Sequence, residues 1–187
     1  MIRAKPARLL HGLWRETRGV TAMEFAFILP VLLTLVFATT EFGRLLMLSQ
    51  KLQNGTFIVA DLAARDESLS ATQLDNMFLA FNNLIQPFEF GSVGNAIVSS
   101  VTADPAGDPV INWQRSGAGT LGQESTLGAT GEDANLPDAL TLAPGETLIV
   151  AEVHYVYEPI FDISGAGQML SKYAYVRPRL GTLETLD

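Results

Sequence analysis

At 187 residues the chain has room for one ordinary domain plus a membrane segment, and hardly for two cores. Its net charge of −8 is unevenly held: residues 1–19 carry five basic side chains and one acid, which leaves seven basic and nineteen acidic side chains, or −12, for the remainder. An acidic body of this kind repels phosphate backbones and argues against a nucleic-acid partner, and the lack of any cysteine excludes disulfides, thiolate metal sites and a cysteine nucleophile.

The chain opens on a basic leader, residues 1–19, in which Arg3, Lys5, Arg8, Arg15 and Arg18 are opposed only by Glu16. Such a cluster prefers the anionic cytoplasmic leaflet, so it orients a following membrane helix with its N-terminus inside and the rest of the chain on the opposite side. Gly19-Val-Thr-Ala-Met-Glu24 comes next, then an apolar run from Phe25 to Thr40. Those sixteen residues span about 24 Å as a helix, so crossing a hydrocarbon core of about 30 Å needs Val20–Met23 and the region after Glu41 to lie in the interfaces. The expected transmembrane part is therefore about 20–43, within a long helix over 20–65.

A carboxylate at the edge of such a run is costly and asks for a reason. Basic leader, glycine, four residues, glutamate and apolar helix together resemble the class III signal of a type IV pilin. Glu24-Phe-Ala-Phe-Ile-Leu-Pro30 and Glu41-Phe-Gly-Arg44 narrow this to a resemblance with TadE-like proteins, the minor pilins or pseudopilins of tight-adherence (Tad/Flp) pilus systems. The resemblance covers about residues 15–45 and, beyond them, architecture alone.

It implies cleavage by a prepilin peptidase between Gly19 and Val20. Glycine suits a cut that needs close backbone approach. The cut would leave an α-amino group on Val20, largely protonated at neutral pH given a reference pKa of about 7.7–8.0. Glu24 would pair with such an amine, of a neighbouring subunit in the pilin mode or of its own chain one turn away. Phe25, where major pilins of this system usually carry tyrosine, points to a minor subunit. The implied partners are the prepilin peptidase, other minor pilins and the major pilin, the inner-membrane assembly platform and the lipid bilayer, with no cofactor. The implied location is the bacterial inner membrane, single-pass, with the C-terminal part periplasmic or carried into an extracellular pilus.

Three alternatives stand beside this. Ala38-Thr-Thr40 before Glu41 is a weak cleavage site for an ordinary secretory signal. An uncleaved signal anchor unrelated to pili would fit the same hydropathy. The exported head could also be an adhesin-like surface-binding module. Pro30 reads either as a tolerated membrane-helix proline or as a point of local melting.

From Glu41 to Arg65 the pattern stays helical, with Leu45, Leu46, Leu48, Leu52, Ile58, Val59 and Leu62 on a broad apolar side; Asn54-Gly55 is where the helix is expected to bend or end. Asn54-Gly-Thr56 also matches a glycosylation sequon and is assigned no role. Ser70-Ala-Thr-Gln73 is a capping box opening a second, amphipathic helix with Leu74, Met77, Phe78, Phe81, Leu84 and Ile85 on one face, ended by Pro87.

Residues 96–103 and 110–114 read as strands joined by the turn Asp104-Pro-Ala-Gly-Asp-Pro109. Residues 116–145, rich in Gly, Ala, Thr and Ser, read as a flexible loop and as the candidate contact surface of a binding head. Residues 148–157 are the clearest strand, with Ile149, Ala151, Val153, Tyr155 and Tyr157 on one face. Residues 172–177 form another, and its Tyr173 and Tyr175 are expected to make cross-strand pairs with Tyr155 and Tyr157. The result is an α+β, pilin-like architecture: long membrane helix, second helix, and a small antiparallel sheet in an exported head over 66–187.

Glu152, His154, Glu158 and Asp162 are the only cluster suited to metal binding or acid–base work. They are expected to be the solvated side of an amphipathic strand. Gly117-Ala-Gly119 lacks the strand, helix and lysine of a phosphate loop, and no nucleophile motif accompanies His154. No metal site and no enzyme are expected.

Overall fold

The computed structural model describes residues 18–160 and 167–187. Among these residues six elements follow in chain order: α1 (Arg18–Ala63), α2 (Ala71–Ile85), β1 (Gly94–Ala103), β2 (Pro109–Gly117), β3 (Thr147–Tyr157) and β4 (Gln168–Val176). The architecture is α+β: a long N-terminal apolar helix, a second helix and a four-stranded antiparallel sheet in the order β2-β1-β3-β4. The chain divides into two compact units, residues 1–43 and 44–187.

In the first unit, residues 19–40 of α1 are exposed, and the helix runs through Pro30 without a break. The hydroxyls of Thr34, Thr39 and Thr40 donate back to the carbonyls of Pro30, Leu35 and Val36 at 2.8, 2.7 and 2.9 Å. Each threonine thus satisfies its donor within the helix, as an apolar surrounding demands.

The second unit is built on the rest of α1. Leu48, Leu52, Val59, Ala60 and Ala63 are buried together with Leu74, Phe78, Phe81 and Ile85 of α2 and with Val98, Ile149, Ala151, Val153 and Tyr155 of the sheet. The expected break at Asn54-Gly55 does not occur. Gly55 is buried where α1 meets the Phe81 ring, and the packing offsets its poor helix propensity.

Ser70 caps α2: its Oγ accepts from the Gln73 amide at 3.3 Å, while Gln73 Oε1 accepts from the Ser70 amide at 2.8 Å. The helix ends at Ile85, two residues before Pro87. The β1–β2 hairpin turns on Asp104, whose Oδ1 accepts from the amides of Ala106 and Asp108 at 2.8 and 2.9 Å.

All four strands are longer than their sequence signals, since ladder pairing extends beyond the apolar alternation. The β3–β4 register sets Tyr155 opposite Leu170, Tyr157 opposite Gln168, Tyr173 opposite Glu152 and Tyr175 opposite Val150. Tyr155 and Tyr157 therefore share the helix-covered face, and Tyr173 and Tyr175 share the other. The expected tyrosine pairs are absent because the register places them on opposite faces.

Residues 118–146 hold no strand, yet they are tied down. Ile111 and Pro109 on the outer edge of β2 exchange backbone hydrogen bonds with Gly131, Glu132 and Ala134, which covers that edge. Leu127, Ala134, Leu136, Leu140 and Leu142 pack on Val101, Ile111, Leu148 and Val150, a second small core on the sheet face opposite the helices. The C-terminal segment completes the fold: the Leu183 carbonyl accepts from Trp113 Nε1 at 2.9 Å and Ser100 Oγ at 2.8 Å, and Asp187 brackets Leu69 and Ala71 by backbone hydrogen bonds.

Candidate functional site

Two regions carry the functional residues singled out in the sequence. The first is the start of α1. Gly19, Val20, Glu24 and Phe25 all lie in its first two turns, and all are exposed. On a helix Val20 and Glu24 are one turn apart, so an amine at Val20 and the Glu24 carboxylate stand on one side of it. Among the described residues a Cβ built on Gly19 would meet nothing within 4 Å, and its backbone is ordinary helix. The described part of the fold therefore makes no demand for glycine at this position. Arg3, Lys5, Arg8 and Arg15 lie outside the described residues, and Arg18 is the first residue of the helix.

Along α1 one stretch is long and apolar enough to cross a membrane, and none of it is buried by the protein. Val20, Met23, Phe25, Phe27, Ile28, Val31, Leu35 and Val36 are all more than half exposed. Apolar surface on that scale is unfavourable in water at about 25 cal/mol per Å2 and is accommodated by lipid or by other apolar helices.

The second region is the cluster on β3, and here the expectation of a solvated face is overturned. Glu152 is 0 % and His154 2 % exposed. The loop before β3 folds over that face. The Ser125 and Thr126 hydroxyls donate to the two Glu152 carboxylate oxygens, and the Thr126 amide donates to Oε1 at 3.1 Å. His154 Nδ1 lies 2.9 Å from Ser171 Oγ on β4, while its Nε2 is buried with no partner among the described residues. Burial holds the imidazole pKa below its ordinary value, and nearby Glu152 partly offsets this by raising it.

Glu158 lies beyond the end of β3 and is exposed, so it does not join the other two. Asp162 is outside the described residues. Among the described residues no three His, Asp or Glu side chains converge on a point that could hold a metal ion. Glu152 holds the loop to the sheet, an arrangement that accounts for its burial without chemistry.

Sequence reasoning missed this clamp. Its signal lay in the leucines of the loop, Leu127, Leu136, Leu140 and Leu142, which are too apolar for a free loop and mark a segment that covers something.

One exposed apolar helix among the described residues, followed by a small α+β head, fits a single-pass membrane anchor. Residues 19–61, within the N-terminal helix, match the family described as TadE-like protein, so that segment is TadE-like. The match ends before α2, leaving the sheet-bearing part to be read from its own geometry. No match was found among curated proteins or among solved structures.

Proposed function

We propose that the chain is a minor pilin or pseudopilin that acts in assembly of a tight-adherence pilus after a prepilin peptidase cuts between Gly19 and Val20. The observation that carries this reading is that Gly19 sits at the start of a TadE-like segment, where none of the described residues packs closely enough to require glycine. A requirement from outside the chain, a peptidase that must reach the backbone, supplies the reason.

Cleavage frees the Val20 amine, and Glu24 pairs with such an amine on a neighbouring subunit; Phe25 begins the apolar face that follows. An unpaired carboxylate carries an insertion cost approaching about 2.5–3.5 kcal/mol at mid-membrane and less toward the edge, so pairing favours docking in one register. Arg3, Lys5, Arg8, Arg15 and Arg18 hold the leader in the cytoplasm, residues 20–43 span the inner membrane, and the head, residues 66–187, stands in the periplasm or on the pilus. Partners on this reading are the peptidase, the major pilin and other minor pilins, and the inner-membrane platform.

The test is the N-terminal sequence of protein made beside an active prepilin peptidase. Val20 as the first residue is expected. Retention of residues 1–19 overturns the reading and leaves an uncleaved membrane anchor in its place.

A further inference from the structure

A cleft of about 390 Å3 opens beside the residue that begins the second unit, Arg44. Its walls include Arg44, Phe88, Glu89, Tyr155 and Glu158. The Arg44 guanidinium lies over the Phe88 ring, 5.6 Å from its centroid, which fixes the planar cation at one side of the cleft. Glu89 and Glu158 are exposed, while Tyr155 and Phe88 are buried and form the floor. All three charges act on the Tyr155 phenol: burial raises its pKa most, Arg44 lowers it, and Glu158 and Glu89 raise it further. Among the described residues, one cation and two anions thus line this small cleft together with a buried phenol.

In the chain, Arg44 comes four residues after the apolar run that ends at Thr40. Aromatic and arginine side chains at that distance from a membrane-spanning segment sit at headgroup depth. We infer that this cleft binds the headgroup of a zwitterionic phospholipid with a primary ammonium, a phosphatidylethanolamine. Arg44 takes the phosphate oxygens through its forked N–H donors. Glu89 and Glu158 accept hydrogen bonds from the ammonium. The excess of one carboxylate disfavours an anionic headgroup. A choline headgroup has no N–H to give the carboxylates, and the Phe88 face that would attract it already carries Arg44. The inference rests on the membrane-anchored reading of α1.

The test uses the full chain with equimolar phosphatidylethanolamine, phosphatidylcholine and phosphatidylglycerol. Vesicle flotation reports anchoring, and native mass spectrometry of the detergent-released protein reports which lipid stays bound. Phosphatidylethanolamine should be retained about tenfold over the other two, the worth of a charge-assisted hydrogen bond. The preference should disappear in Arg44→Gln and in the double variant Glu89→Gln/Glu158→Gln. The second pair of substitutions is at exposed positions, so the test survives if loss of Arg44 disturbs the fold. Arg115→Gln, on β2 and paired with Asp75, should leave the preference intact. Flotation with equal retention of all three lipids, or a preference unchanged in both cleft variants, overturns the headgroup site alone. Failure to float with any vesicle overturns the anchored reading and the site together.

Discussion

A Cβ placed on Gly55 would lie 2.7 Å from Cε2 of Phe81, so α1 and α2 meet there with bare backbone against an aromatic ring. The ring cannot move aside freely, because Phe90 packs edge-on to it with centroids 5.0 Å apart. In an exposed helix interior Gly→Ala gains up to about 1 kcal/mol. Here Gly55→Ala should instead lose about 1–3 kcal/mol through overpacking, read as a lower thermal midpoint of the full chain in detergent. Gly43→Ala, where a Cβ meets nothing within 4 Å among the described residues, is the matched control and should be neutral or stabilising. Equal shifts in the two variants would show that helix propensity, not the Phe81 contact, governs both sites.

Glu24 and Glu41 flank the same apolar run and should behave differently. Glu24→Gln keeps size and hydrogen-bonding capacity, so membrane insertion and cleavage after Gly19 should be normal or slightly improved. Capture of partner minor pilins, or incorporation into pili, should fall at least about tenfold, since removing one charge strands the amine it pairs with. Glu41→Gln, near Arg44, should do much less. Equal loss in both variants, or none in either, would strip Glu24 of its special role.

The Glu152 clamp predicts an ordered series. Glu152→Ala leaves the Ser125 and Thr126 hydroxyls and the Thr126 amide without their acceptor and should cost about 3 kcal/mol or more. Glu152→Gln retains one acceptor oxygen and should cost less. The loss should be local as well as global: limited proteolysis should cut residues 116–145 faster in proportion to the stability lost. A loop equally resistant in wild type and Glu152→Ala would mean that its leucines hold it without the carboxylate.

His154 makes the fold sensitive to mild acid. Its folded-state pKa lies below the value of about 6.5 that the unfolded chain has, because burial disfavours the imidazolium. The unfolded state therefore binds the proton first. The stability is fully present above about pH 6.5 and is lost as pH falls from there through the lower folded-state value. Thermal midpoints measured between pH 7.5 and 5 should fall for wild type, and more steeply than for His154→Asn, whose amide stands near the Nδ1 position that faces Ser171 and does not titrate. Parallel pH curves for the two proteins would assign the acid sensitivity to other groups.

Features set by residues close in the chain were legible in the sequence. The apolar run 25–40, the Ser70–Gln73 box, the stop before Pro87 and the turn at Asp104 depend on hydropathy and on hydrogen bonds spanning a few residues, and each is present at or near the expected position. The pairing of β1 with β2 follows from that turn. Tertiary structure decided the rest. α1 continues through Asn54-Gly55 because Phe81, 26 positions away, fills the space a side chain would take. The four tyrosines separate into two faces because the β3–β4 register places odd positions opposite even ones, and alternation within a strand carries no information about its partner's register. Glu152 and His154 read as solvated because an amphipathic strand ordinarily has one wet face. They are buried because β3 lies inside the sheet with helices on one side and the returning loop on the other, and the donors that make this tolerable, Ser125 and Thr126, come from a segment whose own composition says only that it is a loop.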